Sequence, residues 1–176
     1  METSIIKLEP PTMARQPQIL AAIHASQAEL AQYLTWVEQA LDPAQSIADT
    51  QQAIDNFQQQ NSELRYNIID KRSDELLGAI GLLIRDASVP YFELGYWLAT
   101  HATGQGYVTS AVTLLEQHAF NQLGAKRLEI RMAESNRSSR AVAERCGFPL
   151  EGTLLNERRL PSGPLCNTLV YAKTAL

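Results

Sequence analysis

The sequence predicts a mixed α/β fold in one domain, spanning residues 1–176, on three observations. Apolar periodicity switches repeatedly between the helical and the strand repeat along the chain. No linker, repeat or low-complexity stretch divides it. A chain of 176 residues is long enough for one good-sized core.

The elements follow in order. "SIIKL" (4–8) reads as a short first strand, and the proline pair 10–11 breaks it. From about Ala14 to Val37 apolar residues recur at helical spacing, predicting a helix in two pieces. Ile47, Ile54 and Phe57 predict a further helix to about Gln60, with Ser46 as its N-cap. "LRYNIID" and "LLGAIGLLIR" read as strands joined by the charged turn "KRSDE". "YFELGYWLA" (91–99) is a third strand, apolar enough for burial on both faces. Val108, Ala111, Val112, Leu115, Ala119 and Leu123 place one stripe on a helix over 107–123, stopped by Gly124. Leu128, Ile130 and Met132 alternate in another strand. A short helix over 138–146 ends at Gly147, and two strands near 153–160 and 166–173 flank the turn "PSG".

Composition narrows the function. Hydrophobic residues make up 45% and charged residues 19%, and the net charge of −4 argues against a nucleic-acid-binding module. The N-terminus lacks a signal-peptide pattern, and no apolar run reaches membrane-span length, so the expected location is cytoplasmic. Cys146 and Cys166 show no framework spacing and are expected to be reduced thiols. His24, His101 and His118 are scattered, and no metal site is expected. Residues 1–100 carry 6 Lys/Arg against 13 Asp/Glu, whereas residues 101–176 carry 9 against 6. That asymmetry suits an anionic ligand in the second half and a basic partner for the first, and equally suits a solvated surface.

The stretch "HATGQGYVTSA" (101–111) links the third of these strands to the long helix. Glycines one residue apart let consecutive N–H groups line up, and a helix start adds unpaired donors and a positive dipole end. The stretch is therefore either a tight turn or a phosphate cradle. It lacks the lysine of a P-loop, and Thr109 stands where a dinucleotide fingerprint requires glycine.

Further motifs follow in fixed order: "ELGYWL" before the loop, "GQGYVTSA" at the helix start, "NRSSRAVAERCGF" (136–148), "EGTL" and a terminal "VYA". Together they resemble the GNAT N-acetyltransferases, most nearly those of the RimL/RimJ type that act on ribosomal-protein N-termini. The resemblance covers about residues 64–173. It implies a central, mostly antiparallel twisted sheet of six or seven strands with helices on both faces. It also implies acetyl-CoA as cosubstrate. The pyrophosphate would lie on the backbone of His101, Thr103, Gly104, Gln105, Gly106, Tyr107 and Val108. The pantetheine would pair with Trp97, Leu98 and Ala99 and bond Asn136, which is otherwise a helix cap. Arg137 and Arg140 would meet the phosphates.

Acetyl transfer to an amine needs a base and a donor for the leaving sulfur. The family's common tyrosine position is Ala143 here, and the resemblance to the RimL/RimJ type implies Ser139, one helical turn after Asn136, as the donor. Glu93 is the first candidate for the base, since a carboxylate in an apolar strand is functional or structurally paired. Glu157 is the second. His101, Thr103 and Ser110 also depart from the common pattern. The acceptor expected from the resemblance is a protein α-amine, with the acidic helices of residues 14–60 forming one wall of its site. A small-molecule amine such as an antibiotic or polyamine, or a non-catalytic acyl-CoA-binding module, are the alternatives. The chain is expected to be a monomer or a homodimer.

Overall fold

A computed structural model describes residues 1–174. The strands are β1 (Ile6–Glu9), β2 (Glu63–Asp70), β3 (Leu76–Asp86), β4 (Tyr91–Leu98), β5 (Arg127–Ala133), β6 (Leu150–Arg159) and β7 (Leu165–Thr174). The helices are α1 (Gln16–Ala25), α2 (Gln27–Leu30), α3 (Val37–Ala40), α4 (Pro43–Gln59), α5 (Tyr107–Asn121) and α6 (Arg137–Arg145). One seven-stranded sheet runs β1-β2-β3-β4-β5-β7-β6. Every pairing is antiparallel except β4 with β5. The expected fold class and strand number are those observed.

Strand alternation divides β4 between two layers. Phe92, Leu94, Tyr96 and Leu98 belong to the core under α5 and α6, whereas Trp97 packs with Ile23, Leu30, Val37 and Ala40 of the N-terminal helices. Both faces of the sheet are therefore covered. On α5 the stripe Val108, Ala111, Val112, Leu115 and Ala119 is buried, as its spacing predicts. Each fully buried Leu or Ile here, Leu115, Leu128 and Ile130 among them, contributes about 2 kcal/mol.

Two N-terminal boundaries differ from expectation. The stretch 14–37 is broken into α1, α2 and turns rather than two longer helices, and α3 begins only at Val37. Helix α4 starts three residues ahead of the expected cap: Asp42 accepts from the Ala44 N–H at 3.1 Å, and Pro43 occupies the first turn. Ser46 instead lies buried inside α4, where Gln16 Nε2 donates to its hydroxyl at 2.9 Å. Ser46 stands past the first turn that Asp42 caps, so its hydroxyl is left for the neighbouring helix.

His118 lies on α5, edge-on to Tyr66 at 6.4 Å between centroids. Burial, aided by the N-terminal ammonium, lowers its pKa below 6.5. The unfolded chain therefore binds this proton more readily, so stability falls as pH drops from 6.5 through the folded value. The expected result is a Tm decline from about pH 8 to about pH 5 that His118→Gln reduces, measured by thermal unfolding.

Candidate active site

The parallel pairing of β4 with β5 stops at Leu94↔Ile130, although β4 runs on to Leu98 and β5 to Ala133. Beyond that point β4 stays with β3, to Leu98↔Gly78, and β5 stays with β7, to Ala133↔Thr168. The sheet is thus split in its middle. The Ala99 N–H donates to Leu77 O at 2.8 Å, toward β3. By alternation the N–H and C=O groups of Tyr96 and Leu98 point the other way, into the split, whereas those of Trp97 and the N–H of Ala99, two residues expected to pair with the ligand, are turned to β3. An extended amide-bearing chain fits there as an added strand.

The loop after β4 stands at the mouth of the split. Gly104 and Gly106 have φ of 76° and 80°, and a Cβ on either would meet nothing within 4 Å. Glycine is required there by backbone conformation and not by crowding. Gly106 caps α5 with no side chain, and the first intrahelical bond runs from Ser110 N to Gly106 O at 3.0 Å. The N–H groups of Tyr107, Val108 and Thr109 therefore have no intrahelical acceptor. Combined with the dipole of a 15-residue helix, they are a set of donors suited to an anion. The Tyr107 hydroxyl donates to Asp70 Oδ2 at 3.0 Å, which fixes the first residue of α5 against β2.

Split and loop open into one cleft of about 970 Å³. Of the expected ligand-binding residues, Trp97, Leu98, Thr103, Gly104, Gly106, Tyr107, Val108 and Asn136 line it, as does Ser139. Three others do not. Ala99 is fully buried, the Gln105 amide turns back to donate to His101 O at 3.0 Å, and His101 faces Glu75 at 3.0 Å. Arg137 lines the cleft, but Arg140 is drawn to Glu144 at 2.9 Å one helical turn on. Arg145 takes the second basic position.

Asn136 caps α6, its Oδ1 accepting from the Ser139 N–H at 3.0 Å. That bond leaves its Nδ2 without a protein acceptor among the described residues, so one side chain can serve both the helix and a ligand. Ser139 Oγ lies 2.9 Å from the Tyr96 hydroxyl, which also donates to Ser139 O at 3.2 Å. Burial pushes the Tyr96 pKa up to about 12, so the phenol keeps its proton. Ala143, at the family's tyrosine position, is fully buried. Here a tyrosine hydroxyl reaches the cleft from β4 instead. The signal for Tyr96 was present in the sequence, as a hydroxyl on a strand face otherwise built of Phe92, Leu94 and Leu98, but its partner lies 43 residues on.

The expected base is placed elsewhere. Glu93 points away from the cleft and accepts from Arg85 Nε at 2.9 Å and Nη2 at 2.6 Å. A carboxylate turned away from the cleft and occupied by a guanidinium cannot reach an amine bound there. Glu157 is likewise engaged, by Arg131 at 2.9 Å and the Thr168 hydroxyl at 2.6 Å. Neither lines the cleft. Glu93→Gln is expected to leave kcat within about twofold and to lower stability by at most about 1 kcal/mol, the scale of a partly exposed ion pair, as steady-state rates and thermal melts will show.

The N-terminal segment closes the cleft from the other side. The Tyr33 hydroxyl donates to Ser135 O at 3.1 Å, and Thr100 is tied to Ser26 Oγ at 3.0 Å and Glu29 Oε2 at 3.1 Å. Glu29, Tyr33 and Leu34 line the cavity there. Among the described residues no three His, Cys, Asp or Glu side chains are grouped to hold a metal ion, and no helix is long and apolar enough to cross a membrane.

A sheet split beside an uncapped helix start is a receptacle for a ligand with an amide-bearing arm and a phosphate end, which is the outline of acyl-coenzyme A. Comparison with known proteins agrees. The acetyltransferase (GNAT) domain family matches residues 6–149, and the chain belongs to that family of acetyl-CoA-dependent N-acetyltransferases. YdaF of Bacillus subtilis (strain 168) is 42% identical over 77 residues, 44% of this chain but only 42% of its own length. The ribosomal-protein-serine acetyltransferase of Escherichia coli (strain K12) is 33% identical over 125 residues, 68% of this chain and 69% of its own. The crystal structure of the microcin C7 self-immunity acetyltransferase MccE with acetyl-CoA and AMP is 26% identical. It superposes with a TM-score of 0.90 over 98% of this chain and 94% of its own.

Proposed function

We propose that the protein transfers the acetyl group of acetyl-CoA directly to the α-amine of a protein N-terminus, a ribosomal protein being the favoured class. The split between β4 and β5, with the Ser139 hydroxyl at its side, carries this reading. The E. coli relative, named for ribosomal-protein serine, supports the acceptor class.

In this reading the pyrophosphate sits on the N–H groups from Gly104 to Val108, with Arg137 and Arg145 beside it. The pantetheine amides pair with Tyr96 and Leu98, and Asn136 Nδ2 donates to the arm. The neutral amine, its proton lost to solvent, attacks the thioester carbonyl. The C–S bond breaks, Ser139 Oγ–H gives its proton to the departing thiolate, and the amine's remaining excess proton passes to water. The serine regains its proton through the Tyr96 hydroxyl or solvent. No covalent enzyme intermediate is needed.

The test is thiol release from acetyl-CoA with N-terminal peptides and small amines. Acetylation of free α-amine peptides, with N-terminally blocked peptides inert, is the expected result. Turnover confined to antibiotics or polyamines would overturn the acceptor class, and tight CoA binding without turnover on any amine would overturn the catalytic reading.

A further inference from the structure

The sheet carries a second cavity, of about 450 Å³, on the face opposite α5. Its roof is α1, α3 and α4, and its floor is the outer face of β2, β3 and β4. On that floor Gly81 pairs with Gly95 and Ala79 with Trp97, the Glu63 side chain lying over Gly81 and Leu83 Cδ1 beside Gly95. The cavity shares Leu34, Tyr96 and Trp97 with the cleft, so the two meet at the split strand.

At its far wall lies Asn67, fully buried in β2, and neither its Nδ2 nor its Oδ1 has a partner. An unmet donor and acceptor inside a fold are destabilising and are uncommon enough to call for a reason. Asn67, Ala79 and Trp97 stand in one row across three strands. Two strand spacings, about 10 Å, therefore separate Asn67 from Trp97 on β4, the strand that borders the split, which is the length of about three extended residues. An amide offers one acceptor and one donor, the complement of what Asn67 lacks.

We propose that this cavity receives the first residues of the acceptor peptide, and that Asn67 recognises an amide about three residues from the reacting amine. The proposal rests on the N-terminal-amine reading for the identity of its ligand. The peptide crosses β3 and β4 with its amine at the split, the Glu63 carboxylate swinging off Gly81 together with its partner Arg65 to admit it. Ile19, Ile23, Leu34 and Trp36 supply apolar walls for its side chains. The Asn67 amide is sealed from solvent, so the wall must yield to admit the peptide. Arg65, on the same strand face with a 38% exposed side chain, is the movable neighbour.

The experiment compares Ser-Ala amide with Ser-Ala-Ala-Ala amide on the wild type and on Asn67→Leu, a near-isosteric change. The expected result is a KM about tenfold higher for the tetrapeptide in N67L, with the dipeptide and the CoA Kd unchanged. Because the change removes unmet polar atoms, the Tm of N67L is expected to stay level or rise. Asn67→Val, which suits a strand, repeats the comparison should leucine overfill the site. Binding of the tetrapeptide, read as a rise in Tm, is measured alongside turnover. A tetrapeptide that binds through Asn67 but is not acetylated keeps the proposal and overturns the functional reading. Equal tetrapeptide affinity in wild type and variants, absence of binding in both included, overturns the proposal; that is the result if Asn67 serves only a buried water.

Discussion

Replacing Gly106 by valine is expected to weaken CoA binding about a hundredfold while the protein remains folded, as titration calorimetry and thermal unfolding will show. The argument rests on conformation. Gly106 sits at φ 80° with open space around it, so no atom clashes with a new side chain. What a β-branched residue opposes is the left-handed backbone itself, by about 1–2 kcal/mol. Relaxing that strain rotates the peptide units that aim the first N–H groups of α5 into the cleft. Loss of two charge-assisted bonds to a phosphate amounts to about 3 kcal/mol, hence the hundredfold. The strain alone lowers Tm by only a few degrees in a domain of this size. Gly163→Val is the control. It meets the same backbone objection at φ 104°, in the turn before β7 and away from the cleft. Equal loss of CoA affinity in both variants would mean that the effect is general destabilisation, and unchanged affinity in G106V would remove the loop from the phosphate site.

Ser139→Ala is expected to lower kcat about a hundredfold with CoA affinity unchanged, the scale of a lost general acid. Tyr96 separates this outcome from a structural one. In S139A the Tyr96 hydroxyl keeps its bond to the residue 139 carbonyl, so the link between β4 and α6 survives. Tyr96→Phe removes that link but leaves the serine, and a smaller fall of about tenfold is expected, within the range of one hydrogen bond. Since the Tyr96 pKa is pushed up to about 12, tyrosine ionisation should add no alkaline limb to the rate profile below that pH. Full activity in S139A, together with a lowered Tm, would make Ser139 a first-turn helix residue and nothing more.

Much of this architecture was legible in the chain. The stripe from Val108 to Ala119 specified α5, because 3.6-residue spacing can bury one side only on a helix. The alternation through Leu128, Ile130 and Met132 specified β5 for the equivalent reason. The glycines of the loop marked the positive φ values that a helix start at Gly106 requires. These are local properties, fixed by a residue and its near neighbours.

Other features were settled only when distant segments met. Glu93 reads as a candidate base because a carboxylate in an apolar strand demands an explanation, and the explanation, Arg85 across a hairpin, is a pairing of registers. Ser46 reads as a cap until the fold starts α4 at Pro43 and turns the serine inward to Gln16 of another helix. Tyr96 and Ser139 become partners only because α6 starts beside the split, and the split exists because β4 and β5 each follow a different neighbour. Asn67 reads as an ordinary strand residue until the fold buries it without a partner. The sequence by itself determined most of the elements, their faces and the glycine loop ahead of α5, since periodicity and backbone conformation act over a few residues. The tertiary structure decided which charges are neutralised, where the sheet opens and which polar groups are left unmet, because each depends on contacts between segments that lie far apart in the chain.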